Sequence, residues 1–432
     1  METSTKQNTV TEKFLKLIES SFPTIVDGKE KDLAIKAFVN QGVPTRKHEE
    51  YKYVNVELIL KDDLSVATNN IISQEQVEQF NFLVDAYLVV IVNGIFSEEL
   101  SRLKDLPKGM IVCSLDVAKE NHKVIFEKHY SKFADINADA FIALNSAMAK
   151  TGVFVHVSKS IIIEKPLHII HISSAKKAEI INPRNLIVIE ENAQAKIIES
   201  YETSDTSAKI FNNAVTEIVV GANSIVDHYK IQDENEFGYL LNTTQVVQKK
   251  QSLFSTHTFT LSGSLVRNNL TIVLDGEHIE THLNGLYLTN GNQIVDNHTV
   301  VDHCKPNCNS NELYKGIIDG KSSATFNGKI FVRKDAQKTN AFQSNKNILL
   351  SDDGSINTKP QLEIYADDVK CSHGTSTGKL DEDKIFYLRA RGLSEISAKK
   401  LLMHAFASEV VNTIKIDALR EYVEEKISKR FE

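Results

Sequence analysis

From residue 153 to about 368 the chain is written almost entirely in period two. Short β-branched runs at 160–163, 168–172, 185–189, 195–198, 215–220, 224–228 and 270–274 follow one another. Turn residues separate them: Glu191-Asn192-Ala193, Gly221-Ala222-Asn223, Asp275-Gly276-Glu277 and Asp319-Gly320-Lys321. Such runs read as strands. Few architectures absorb roughly 200 residues of nearly continuous strand: sandwiches and barrels rarely need so many. A solenoid grows coil by coil, each coil touching only its neighbours. The pattern therefore favours a β-helix. The runs keep no strict repeat length, so a large antiparallel β domain stays open beside it.

The flanks have another texture. Residues 1–150 read as a mixed, mostly helical domain. Phe14, Leu15, Leu17 and Ile18 form one helical apolar face, Leu33, Ile35, Ala37 and Phe38 another, and Gly42-Val43-Pro44 breaks the chain. Within this part, 88–92 reads as a buried strand closed by Asn93-Gly94, and 140–149 as a helix. The β-helix core is expected over 151–379 and a small helical domain over 380–432. There Asp381 caps a helix carrying Ile385, Phe386 and Leu388 that ends at Gly392. Ser394 caps a second with Leu402, Phe406, Val410 and Ile414, and Asp417 caps a third. One helical layer cannot bury its own apolar face, so these helices are expected to cover the open end of the β region or to bind a partner.

Charge and cysteine content narrow the function. A formal net charge of −7 gives no global reason to bind nucleic acid or an anionic membrane. The first residues lack an apolar signal core, and no stretch approaches the roughly 20 apolar residues of a spanning helix. The expected location is therefore the cytoplasm. Four cysteines (Cys113, Cys304, Cys308 and Cys371) in 432 residues are too few for a disulfide framework and fit a reducing compartment.

Two motifs are decoys. Residues 316–322, Gly-Ile-Ile-Asp-Gly-Lys-Ser, imitate a phosphate loop, but only three residues separate the glycines and a strand follows instead of a helix. They read as a β turn. Cys304 and Cys308 have a spacing tolerable for zinc, yet no second cysteine pair completes a tetrahedral site. His257, His278, His282, His298 and His303 crowd the β region and read either as scattered strand residues or as an iron site assembled between coils. No nucleophile signature or paired-carboxylate arrangement marks a catalytic centre.

The most informative stretch is Cys371-Ser372-His373-Gly374. On a strand, positions i and i+2 point to one face, so Cys371 and His373 would project together. Thiolate and imidazole suit a soft transition metal, but two ligands do not close a site. The pair reads either as packing or as half of a metal site completed by another chain.

The run Lys359 to Gly378, continuing into Ile385-Phe386-Tyr387-Leu388-Arg389-Ala390-Arg391-Gly392, resembles the SufD branch of the SufB/SufD family of iron–sulfur cluster assembly scaffolds. So do Phe326-Asn327-Gly328-Lys329-Ile330 after Tyr314-Lys315-Gly316, the run Asp302-His303 to Ser310, Ala143-Leu144-Asn145, and Pro44-Thr45-Arg46-Lys47-His48-Glu49-Glu50-Tyr51-Lys52-Tyr53. The resemblance covers most of the chain. It implies an N-terminal helical domain, a right-handed parallel β-helix and a C-terminal helical domain. It implies a scaffold, not an enzyme, in the SUF system. The scaffold pairs with a SufB-like subunit, and its C-terminal helices, with Ile385, Phe386, Leu402 and Phe406 as candidate contacts, dock a SufC-like ABC ATPase. Cys371 and His373 are then candidate metal ligands for a transient iron–sulfur cluster at the SufB interface, His373 foremost. A homodimer in isolation and flavin binding stay open. The near alternative is a SufB-like or homodimeric SUF scaffold. The remote one is a β-helix enzyme acting on polysaccharide, which would need clustered acids or basic residues along one face of the coils and an export signal.

Overall fold

The computed structural model describes residues 2–21, 24–26, 28–61, 63–68, 72–204 and 208–430. The chain is mainly β and forms a β-solenoid of about eight turns. Each coil gives one strand to each of two facing sheets. The first sheet runs from Met110–Ser114 through Val153–Val157, Arg184–Ile189, Ile210–Val220, Tyr239–Gln248, Leu265–Leu274, Ile294–His303 and Ser323–Val332 to Ser355–Ile364. The second runs from Ile95–Arg102 through Tyr87–Val92, Leu167–Ser173, Gln194–Thr203, Ile225–Asp233, Leu253–Ser262, Glu280–Thr289, Asn309–Ile318 and Thr339–Leu349 to Val369–Gly378. Pairing along both is parallel, except that Ile95–Arg102 and Met110–Ser114 join antiparallel at the start. The Tyr87–Val92 strand turns at Asn93-Gly94, both at positive φ, as a two-residue hairpin requires.

Coil length varies. Paired positions lie 27 residues apart at Leu253↔Glu280 and 31 apart at Asn309↔Asn340, which is why the sequence shows no fixed period. The register survives because one corner repeats. Asn192, Asn223, Gln251, His278, Asn307 and Lys338 each take left-handed φ of 57 to 61° at that corner. The amides of Asn192, Asn223, Gln251, Asn307 and Lys338 bond to the next coil, as in Asn192 N–H to Ala222 and Asn223 N–H to Lys250. Three of the four turn signals read from sequence carry a left-handed residue themselves, at Asn192, Asn223 and Gly320; in the third, His278, just past Asp275-Gly276-Glu277, takes that conformation.

The strands differ in what covers them. Val153–Val157, Arg184–Ile189 and Ile210–Val220 are buried along their whole length. Inside, Val155, Ile187 and Ile218 meet the second sheet. Outside, N-terminal elements cap them: Phe14, Phe38, Tyr51, Phe141 and Leu144 pack on Phe211, Leu241 and Leu265. Burial on both faces explains the continuous apolar runs. From Leu265–Leu274 onward burial alternates, because the outer face is less covered. The Pro44–Tyr53 motif forms a buckle here. Arg267 pairs with Asp296, donates to the Glu50 carbonyl, and lies 3.9 Å from the Tyr51 ring centre. His298 sits between Asp296 (2.9 Å) and Glu50 (3.2 Å). Burial opposes its charge, but the two carboxylates outweigh burial and raise its pKa.

The C-terminal helices are Glu382–Ala390, Glu395–Val411 and Asp417–Arg430. Asp381 and Ser394 cap the first two as expected, accepting from Lys384 and Ser397 amides, and Gly392 turns at φ 96°. Asp417 is instead the first residue of its helix, a first-turn acid and not the cap. The expectation that these helices cover the open end is overturned. Met403, Ala407, Val410, Ile414, Leu419, Val423 and Ile427 pack on Tyr229, Ile231, Phe259, Leu286, Leu288 and Ile317, on the outer flank of the second sheet. Those strand residues are the outward half of an alternating pattern and are apolar too, so the flank is where a cover is needed.

Candidate functional site

With the helices on the flank, no strand among the described residues lies beyond the last coil. Ser355–Ile364 and Val369–Gly378 are the outermost strands of their sheets, each bonded on one side only. Their residues are mostly half-buried or exposed, unlike the preceding coils. A strand edge with unpaired N–H and C=O groups is a template for another chain. Here two ten-residue edges lie side by side at one mouth.

Register shows where the side chains go. Ala341, Gln343, Asn345 and Asn347 are the buried, lumen-facing positions of the penultimate strand. They pair with Cys371, His373, Thr375 and Thr377. Cys371 and His373 thus share one face, and that face is the inner wall of the mouth. Cys371 is half-buried against Ile330, Val332 and Ala341. Desolvation raises its thiol pKa, so it stays protonated at neutral pH until a metal or a cation displaces the proton. His373, two residues further along the same strand, is exposed.

The other sequence candidates separate. Among the described residues no group of three or more His, Cys, Asp and Glu side chains is placed to hold a metal. Cys308 is buried and its thiol donates to the Gly276 carbonyl at 3.1 Å, while burial pushes the Cys304 thiol up to about 11. His257 reaches Thr413 of the helical flank, His282 bonds Glu280, and His303 bonds Ser310 inside the lumen, so the crowded histidines form no site. The phosphate-loop imitation is strand, turn, strand. Gly316 admits a ring: a Cβ there would stand 2.2 Å from Tyr287, its register neighbour.

The C-terminal helices carry a second exposed feature. Phe386 is 74% exposed and Ile396 66%, and Tyr387, Leu393 and Leu401 are exposed beside them in sequence. Ile385 points inward and is buried, so it is not free to dock. Leu402 is half-buried. Phe406 faces the solenoid, where Lys315 donates to its carbonyl and lies 4.5 Å from its ring centre. Of the four candidate contacts, Phe386 alone is fully presented. Tyr387, Leu393, Ile396 and Leu401 were missed because their spacing does not fall on the face that repeats every fourth residue.

Residues 3–169 match the SufBD protein N-terminal region, and residues 171–406 match the SUF system FeS cluster assembly SufBD core domain. The chain belongs to the SufB/SufD family. It is 32% identical over 401 residues to the iron-sulfur cluster assembly protein SufD of Escherichia coli (strain K12), covering 92% of this chain and 91% of that one. It is 32% identical over 398 residues to the SufBD family protein slr0076 of Synechocystis, covering 90% and 87%. The chloroplastic protein ABCI7 of Arabidopsis thaliana is 27% identical over 392 residues, covering 88% and 81%. The SufBD core match thus takes in the whole mouth and the exposed helical patch. No helix of the described residues is long and apolar enough to cross a membrane.

Proposed function

We propose that this chain is a SufD-like scaffold subunit of an iron–sulfur cluster assembly complex. Its open solenoid end pairs with the equivalent edges of a SufB-like chain, and its Phe386 patch docks a SufC-like ATPase. The observation that carries the reading is the uncapped last coil with Cys371 and His373 on its inner wall. Two edges that would otherwise invite aggregation are retained, and the only adjacent soft ligands in that coil face the space a partner would close. The exposed imidazole of His373 presents a ring nitrogen to the space a partner would close. Cys371 must first lose its proton, so His373 carries the larger share. A site incomplete without its partner suits a cluster that is handed on and not retained.

The test is co-expression with SufB-like and SufC-like chains, native mass measurement, and anaerobic iron and sulfide analysis. His373→Ala is expected to leave assembly intact and lower cluster yield, with Cys371→Ala milder. Full yield from the double variant would refute a ligand role and leave a structural subunit. Failure to form the mixed complex, with a dimer of this chain in its place, would favour the homodimeric scaffold.

A further inference from the structure

A row of side chains runs along the lumen wall of the second sheet toward the mouth: His228, Thr256, Leu283, Glu312, Gln343 and His373, each the register partner of the next. Glu312 and Gln343 are both about 96% buried, with 4% of each exposed. Gln343 Nε2 donates to Glu312 Oε2 at 2.7 Å, and its amide lies over Gly328, where a Cβ would stand 2.2 Å from Nε2. Burial holds the Glu312 carboxyl up at about 7.

The neighbouring amides on the same strand are closed off. Asn347 Oδ1 accepts from the Tyr287 hydroxyl, and Asn345 Oδ1 accepts from Asn347. Gln343 differs: its Oε1 is buried and takes no donor among the described residues. A buried carbonyl without a donor is destabilising, so a donor is expected to reach it. Its partner on the mouth side is His373, one strand spacing of about 4.8 Å away.

We infer that Gln343 is a positioning residue for His373: its free carbonyl accepts the imidazole N–H and turns the opposite ring nitrogen toward the iron between the subunits. Glu312 holds the amide by its other end, so the orientation is set from inside the solenoid. Metal-binding histidines generally need such a partner on the second nitrogen, and its loss costs about tenfold to a hundredfold in metal affinity. This rests on His373 being a ligand in the proposed complex.

The experiment titrates the assembled three-subunit complex anaerobically with Fe(II), scoring affinity and iron retained after desalting, with native mass as the assembly control. Gln343→Met keeps side-chain length without an acceptor and is expected to weaken Fe(II) binding about tenfold or more. The exchange Glu312→Gln/Gln343→Glu keeps a bond between the pair and an acceptor at the mouth, and is expected to stay within a few-fold of wild type. In a His373→Ala background, Gln343→Met should have no further effect. Unchanged affinity in Gln343→Met overturns the inference, as does an equal loss in the His373→Ala background. If Gln343→Met does not assemble, the exchange decides, and its loss of affinity in an assembled complex overturns the inference. Should His373→Ala itself leave Fe(II) binding unchanged, the ligand reading fails first.

Discussion

Removing Glu217 should damage the chain more than removing Arg184, although the two form one buried ion pair. Both side chains are fully buried, and Arg184 Nη2 lies 2.7 Å from Glu217 Oε2. Breaking a buried pair costs about 3–5 kcal/mol, mostly from the stranded partner. The partners are not equally provided for. Glu217 also accepts from the amides of Ser131 (2.9 Å), Phe133 (2.8 Å) and Ala134 (3.1 Å), tying that segment to the first sheet. Without Arg184 it keeps three donors. Among the described residues, Arg184 otherwise meets Ser146 at 3.1 Å, Asn145 at 3.4 Å and the Tyr130 ring, and its Nε has no partner there. Arg184→Met should therefore cost about 3 kcal/mol. Glu217→Ala should cost about 5 kcal/mol, because it also frees three amides whose bonds to a charged acceptor are the stronger kind. Coils that contact only neighbours need not unfold together, so the assay is hydrogen exchange by mass spectrometry on peptides spanning 130–134 and 210–220. Arg184→Met costing as much as Glu217→Ala, or either lying within about 1 kcal/mol of wild type, would refute the reasoning.

Phe386→Glu should cost about 2 kcal/mol or more of ATPase binding if Phe386 is central to that interface, with unchanged thermal stability, read by titration of the purified ATPase subunit. Deleting everything after Leu380 is a poorer test, because it would strip the cover from Phe259, Leu286 and Ile317. Gly285→Ala should destabilise by about 1–3 kcal/mol in chemical denaturation, since the new Cβ would stand 2.2 Å from the Tyr314 ring; a neutral result would mean the ring has room to move. Glu234, held up at about 7 by burial, binds a proton in the folded chain that the unfolded chain has released by about pH 5. Its stabilising contribution is thus present at low pH and lost as pH rises through about 7. Glu234→Gln should flatten the fall in melting temperature between pH 5 and 7.5, and an unchanged slope would count against the shift.

Local structure was legible from the residues alone. Period-two alternation, Asn93-Gly94, Asp381, Ser394 and Gly392 are local signals, settled by side-chain parity, turn sterics and capping, and the motifs at 44–53 and 371–374 carried the family resemblance. Parity alone put Cys371 and His373 on one face. It could not say that this face is the inner wall of an open mouth, because that depends on which coil is last and what lies beyond it. Nor could it show Gln343 beneath His373, since their contact is between coils 30 residues apart in a solenoid whose coil length varies. The helices at 380–432 were legible, but their seat was not. Val410 and Ile414 announce an apolar face, and only the outward residues of strands over 100 positions earlier, such as Tyr229 and Phe259, decide that the flank receives it and leaves the end of the solenoid bare.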